Sequence, residues 1–324
     1  MQTYELFGFV IASDLAFPEL TAATAGDAMC VVRLTDRPFP QPPTTCFLQT
    51  RLPNGEPWLS CAKCDSGYFL TFNDLATFRV SARGDRVDCH VERHVPAHTV
   101  RHLFLDAVFP LILNLRGHHA VHATAVCGPI GCCAFVGDAG LGKSTLAASF
   151  LRRGWMLVCD DCLRIDAGHE GMLAVPGYAG LRLWPDATAA LFDEIDGSPP
   201  AMHDNSKRRV SAGVKLPAHA VPLRCLYILV GASGGREASI RIEASAPRDA
   251  FIDLVRHAFR LDLGDRTMLA RQFRFLERIV QDTPIRRLTY SREFVHLPAV
   301  TDAIVCDLEE HQPNPGRGVM SRTR

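Results

Sequence analysis

A run of nine residues, Gly137-Asp138-Ala139-Gly140-Leu141-Gly142-Lys143-Ser144-Thr145, reads G-x-x-x-x-G-K-S. Residues of these types at this spacing bind phosphate. The glycines let the chain turn tightly enough for consecutive N–H groups to face one concavity, and a helix starting there adds its positive dipole end. In such a P-loop the Lys143 ammonium reaches the β- and γ-phosphates and the Ser144 hydroxyl ligands Mg²⁺. The other lysines are Lys63, Lys207 and Lys215, so lysine content alone does not produce the match.

Asp160-Asp161 is a second signal. Beside a phosphate-binding loop, one carboxylate can hold Mg²⁺, directly or through water, while the other accepts the proton of an attacking hydroxyl. A polar turn is the other common use of an Asp pair. Lys207-Arg208-Arg209 could clamp a substrate or neutralise charge in a transition state, or be a solvated surface triplet. His118, His119 and His122 could suggest a metal site; their spacing fits two solvated loop histidines and one core histidine better. Cys61/Cys64 and Cys159/Cys162 are CxxC pairs. They lie far apart, and buried cysteines acting as small hydrophobes suit them better than a zinc site.

The elements around these residues follow from apolar patterning. Cys132-Cys133-Ala134-Phe135-Val136 reads as a buried strand entering the loop. Leu146, Ala147, Phe150 and Leu151 fall on one helical face, with Arg152, Arg153 and Gly154 suited to the helix end. Trp155-Met156-Leu157-Val158-Cys159 reads as a second buried strand that delivers the Asp pair to a strand's carboxyl end, where α/β sheets bind ligands. Residues 120–126 read as a strand, turned by Gly128-Pro129-Ile130-Gly131 into the loop strand. Residues 99–115 read as an amphipathic helix with Pro110 a cost within it.

Before that helix the chain is β-rich. Residues 4–11 read as an opening strand, followed by strands at 30–34, 68–72 and 77–80, a turn at Asn73-Asp74 and a Pro-rich loop at 37–43. After the Asp pair come a turn and strand at 174–185, a short helix from Asp186 to Phe192 and a loop at 196–204. A strand at 223–230, a turn at 231–235 and a strand at 238–242 follow. The last expected elements are helices at 247–262 and 267–281, a strand at 287–290, a helix at 300–309 and a disordered polar tail from 311. The expected organisation is an N-terminal β-rich region over residues 1–97, a P-loop domain over 98–310 and a tail over 311–324.

The 324 residues carry a formal net charge of 0, with 47% hydrophobic and 22% charged residues. This is a globular composition without the charge footprint of a nucleic-acid or membrane-surface protein. No segment reaches transmembrane length. With no signal-peptide pattern at the N-terminus, cytoplasmic location and reduced thiols are expected for the 12 cysteines.

His122, the loop at residues 137–145, Arg153-Gly154-Trp155 and Asp160-Asp161 together resemble the kinase domain of HPr kinase/phosphorylase, over about residues 98–166. That domain's fold is like the core of phosphoenolpyruvate carboxykinase. The downstream signature of true HPr kinases is not recognisable, and Tyr178-Ala179-Gly180-Leu181-Arg182-Leu183-Trp184-Pro185 stands in its place. The chain looks more like the HPr-kinase-like proteins found beside lasso-peptide biosynthesis genes, which share an opening like Tyr4, Gly8, Ser13-Asp14 and Pro18-Glu19-Leu20.

The resemblance implies an α/β kinase using ATP and Mg²⁺ on a Ser hydroxyl of a peptide or small protein, without the phosphorylase activity. It implies that Lys143 and the loop amides bind ATP, that Ser144 and Asp161 hold Mg²⁺, that Asp160 is the base and that His122 sits near the transferring phosphate. The two Asp roles could be exchanged. Arg182, Lys207, Arg208 and Arg209 are candidate substrate or phosphate contacts. Related kinases are often oligomeric, so a homo-oligomer is an expectation of the same kind. A small-metabolite kinase and a non-catalytic ATP-binding module share these motifs.

Overall fold

The computed structural model describes residues 1–24, 26–40, 46–52, 54–192, 200–202, 205–211, 213–231, 240–259, 262 and 264–311. The tail after residue 311, most of the expected 196–204 loop, the 231–235 turn after its first residue and the start of the 238–242 strand lie outside them.

Among the described residues, nine strands form a first sheet. They are β1 (Gln2–Leu6), β2 (Phe9–Ser13), β3 (Thr21–Ala22), β4 (Cys30–Thr35), β5 (Cys46–Arg51), β6 (Pro57–Cys64), β7 (Gly67–Phe72), β8 (Ala76–Ser81) and β9 (Arg86–Val91), in the order β3-β1-β2-β4-β9-β8-β7-β6-β5. Alternation is clean in β8, where Ala76, Phe78 and Val80 are buried and the residues between them are half-buried. The opening strand expected over 4–11 is instead a hairpin, β1 against β2. Its turn, Phe7-Gly8, has both residues at positive φ, +50° and +75°, the twist a two-residue hairpin needs. Phe7 is held there by stacking on Phe109, ring centroids 5.8 Å apart.

The expected helix at 99–115 is continuous but not uniform. α1 (Ala97–Leu103) runs through a π-type turn at Phe104–Val108 into α2 (Phe109–Leu115). Pro110 has no N–H for the Asp106 carbonyl, four residues earlier, and its ring would crowd that carbonyl. The wide turn absorbs both effects where Asp106 sits.

A second sheet contains β10 (His119–Val121), β11 (Ala123–Gly128), β12 (Gly131–Val136), β13 (Met156–Cys159), β14 (Leu163–Gly168), β15 (Gly171–Val175), β19 (Val221–Val230), β20 (Arg241–Ala244) and β21 (Ile285–Thr289). Its main path is β10-β14-β15-β19-β12-β11-β13, with β21 also pairing β19 and β20 pairing β21. A small third sheet has β16 (Leu181–Leu183), β18 (Asn205–Val210) and β17 (Pro200–Met202) in that order. The helices are α3 (Lys143–Arg152), α4 (Pro185–Leu191), α5 (Pro247–His257), α6 (Arg266–Asp282) and α7 (Leu297–Glu310). α5 stops short of the expected residue 262. α6 starts on the Asp265 carboxylate, which accepts from the Met268 N–H at 2.9 Å. The architecture is mixed α/β.

β12 shows why the second sheet is buried on both faces. Cys132, Ala134 and Val136 enter a core shared with the first sheet and the helical segment, while Cys133 and Phe135 enter a second core under α3 and α7. The strand expected over 120–126 breaks at His122, whose N–H donates to the His257 carbonyl at 2.7 Å. β10 pairs with β14 before the break, and β11 with β12 and β13 after it.

β13 pairs with β11, not with the loop strand β12, and β11 runs antiparallel to both. β12 and β13 therefore share a direction. Ala123 lies opposite Val136, and Ala125 opposite Cys159. The start of β11 thus meets the ends of β12 and β13 at one sheet edge. β19 and β21 run parallel to β12 and end on the same side.

Candidate active site

That edge gathers the chemistry. From β12 the chain enters the glycine loop, where Gly140 and Gly142 have φ +82° and +93° and Gly142 is the N-terminal cap of α3. A side chain at Gly142 would also meet the Tyr290 hydroxyl at 3.0 Å. Lys143 is 6% exposed. Its Nζ donates to the carbonyls of Gly137 (2.6 Å) and Asp138 (3.3 Å). Burial pushes its ammonium down to about 8.

Asp160 follows β13 and is 3% exposed. Its Oδ1 accepts from Ser144 Oγ at 2.8 Å and Thr124 Oγ1 at 2.7 Å, and its Oδ2 accepts from the Arg182 backbone N–H at 2.8 Å. Asp161 has φ +63°. A continued strand would send consecutive carboxylates to opposite faces; the left-handed residue breaks that alternation. Asp161 Oδ2 is ion-paired with Arg182 Nη2, and its Oδ1 lies 3.6 Å from His122 Nε2. Burial, then the charges of Lys143 and Arg182, push His122 down to about 4, so its imidazole is neutral near pH 7.

Arg182 joins this group to the π-type turn. Its Nη1 lies 2.6 Å from Asp106 Oδ2 and 2.7 Å from His102 Nδ1, and His102 Nδ1 lies 2.7 Å from Asp106 Oδ2. Tyr178 donates its hydroxyl to Asp106 Oδ1 at 3.0 Å. Burial alone would raise the Asp106 carboxyl, but Arg182 and His102 hold it well below the usual carboxylate range. The antiparallel register of β16 and β18 sets Arg209 directly opposite Arg182. Arg209 is buried over the Tyr178 ring at 5.3 Å, and Lys207 Nζ lies 5.4 Å from the centroid of the half-exposed Trp184. Arg208, between them on the strand, is exposed.

Some expected groupings differ. Ser144 is bonded to Asp160, not to Asp161, with which the sequence reading paired it for Mg²⁺. His118 packs on Phe9 at 4.8 Å and His119 on Phe275 at 4.6 Å, where solvated loop positions were expected. Among the described residues no group of three or more His, Cys, Asp or Glu is arranged as a metal site. Cys61, Cys159 and Cys162 are buried, their thiols pushed up by burial. No helix among the described residues is long and apolar enough to cross a membrane.

The chain was also compared with known proteins. No family model matches it, and no curated protein does. A solved structure described as the HPr(Ser) kinase/phosphatase from Coxiella burnetii is similar at a TM-score of 0.32 and 12% identity, over 59% of this chain and 97% of that one. A likeness of that size fixes nothing about this chain's chemistry, which is read from its own residues.

Several of those residues carry little sequence signal. Asp106 is the sole acidic residue in 99–115 and the sole polar one in the run 103–113, a signal that could have singled it out. Tyr290 donates to the Leu141 carbonyl at 3.3 Å and Arg292 to the Gly140 carbonyl at 2.6 Å. They reach the loop because β21 ends on its side of the sheet, and strand order is not written in local sequence. For a hard cation, the apposed oxygens of Ser144 and Asp160 at the start of α3 are the fitting donors.

Proposed function

We propose that this chain is an ATP-dependent kinase of HPr-kinase-like type that transfers the γ-phosphoryl group to a Ser hydroxyl of a peptide or protein. The supporting observation is the single sheet edge that brings the glycine loop with Lys143, the Ser144–Asp160 pair and the His122–Asp161–Arg182 group together. The sequence resemblance suggests a lasso-type precursor peptide as the acceptor.

In this reading the loop amides and Lys143 hold the β- and γ-phosphates. Ser144 and Asp160 would hold Mg²⁺, which neutralises phosphate charge when bound. This exchanges the Asp roles first read from the sequence. The reason is that Asp160 already accepts three hydrogen bonds, one from Ser144. Asp161 is the base: it takes the acceptor proton as the serine oxygen bonds to phosphorus and the β–γ bridge breaks toward ADP. Arg182 orients Asp161 and offers charge to the transferring group. His122, neutral, stands beside Asp161 and adds no positive charge to it.

The test is phosphoryl transfer followed by mass spectrometry, with ATP, Mg²⁺ and a precursor-type peptide. Asp161→Asn should lower kcat by roughly 10²–10⁴-fold with nucleotide binding retained. Asp160→Asn should instead raise the Mg²⁺ needed for half-maximal rate by about tenfold or more. The reverse pattern restores the first assignment. ATP turnover stimulated only by a small metabolite would replace the peptide acceptor, and tight ATP binding without turnover would make the chain a non-catalytic module.

A further inference from the structure

We infer that the acceptor carries an oxyanion, a carboxylate or a phosphate, beside its hydroxyl, and that Arg209 receives it; this rests on the kinase reading above. Like charges opposite one another in a sheet repel, yet β16 and β18 set Arg182 against Arg209. Arg182 is answered by Asp106 and Asp161. Arg209 is 5% exposed, and neither of its Nη atoms has a hydrogen-bond partner among the described residues. A buried guanidinium with both Nη groups unused is costly.

The surroundings keep that fork in place. The Tyr178 ring lies against it. A Cβ at Gly180 would come within 3.2 Å of Arg209 Cγ, and glycine leaves that space to the arginine. Tyr178 in turn lines a cleft of about 490 Å³ together with Glu19, Arg164 and His219, among others, so that its ring stands between Arg209 and that cleft.

In the proposed transfer the charge of the donor phosphates falls to Lys143, the loop amides and Arg182. Arg209, which the charges of Asp106 and Glu19 reach without a hydrogen bond to its Nη atoms, then has both Nη groups to offer, one cross-strand step from the residue that holds Asp161. A guanidinium fork matches a carboxylate or phosphate with two parallel hydrogen bonds. The competing use is an internal pairing with Glu19, whose Oε2 is buried without a partner while Oε1 is held by Arg101 at 2.7 Å.

The experiment compares matched serine peptides on the full chain. One pair carries Asp or Asn after the acceptor Ser; a second carries phosphoserine or serine there. Wild type should prefer the anionic member by about ten- to a hundredfold in kcat/KM, and the pair with the larger ratio identifies the carboxylate or the phosphate. Arg209→Gln should bring the ratio to about one, and Arg209→Lys should keep part of it. Arg209→Met, which removes a buried guanidinium with two unused Nη groups, should raise Tm by about 2 °C.

An equal rate on both members in wild type, or a preference that survives Arg209→Gln, overturns the inference. So does a raised KM for ATP as the main effect of Arg209→Gln, or a fall in Tm for Arg209→Met, the result an internal Glu19 pair requires. Lys143-dependent ATP turnover with no transfer to any peptide also overturns it, and leaves a kinase of another acceptor. Absence of any Lys143-dependent turnover removes the kinase reading itself.

Discussion

Lys143 keeps its ammonium on two carbonyls of its own loop, where triphosphate oxygens would replace them. Its folded value of about 8 lies below the ordinary 10.5. Between those values the unfolded chain binds more protons than the folded one, so stability should rise with pH from about 8 to about 10.5, and below 8 the burial penalty is present in full. The same discharge acts on binding. In the free protein kcat/KM for ATP should fall above about pH 8, while kcat holds to higher pH because bound phosphate retains the proton. A pH–rate profile checks this, and a kcat/KM flat to pH 9.5 would refute it. His122, at about 4, should add no inflection near the ordinary histidine value of 6.5.

Among the elements, the π-type turn does most to shape the site. Pro110 denies the Asp106 carbonyl its helical partner, and the widened turn carries the carboxylate that holds Arg182. Pro110→Ala restores the donor and lets the segment close into a plain α-helix. Asp106 should then rotate off Arg182, and kcat should fall by about tenfold or more with no loss of thermal stability. An unchanged kcat would uncouple the turn from the site. This explains what the sequence could and could not tell. The glycine loop, α3 and the strand before Asp160 are local patterns, and they were legible. The break at His122, the hairpin at Phe7-Gly8 and the placing of β11 between β12 and β13 depend on partners distant in the chain. So does Asp106: its oddity was visible, its partner was not. The bonding of Ser144 to Asp160 follows from strand order, which residue spacing does not encode.

At the scale of the whole molecule, the larger core does not stop at the end of the first sheet. Phe17 meets Phe104 at 5.3 Å, Phe7 stacks on Phe109, and Ala134 and Val136 of the loop strand belong to the same cluster. Lys63 and Tyr68 of the first sheet both bond the buried Asp262, at 2.7 Å and 2.9 Å, ahead of α6. Residues 1–97 should therefore unfold with the remainder in one calorimetric transition. A chain starting at residue 98 should fail to give a cooperative fold by circular dichroism; two resolved transitions would instead show independent units.

Trp184 has one more consequence. The chain has three tryptophans; Trp155 is 9% exposed inside the second core, and Trp184 is 47% exposed on the strip of chain that carries Arg182, beside the Lys207 ammonium. An indole this exposed should emit toward the red, and a molecule settling against that strip should shift it toward the blue. The strip of chain around Arg182 thus holds an intrinsic fluorophore, and a titration with ATP or peptide that shifts its emission would report binding there without a label.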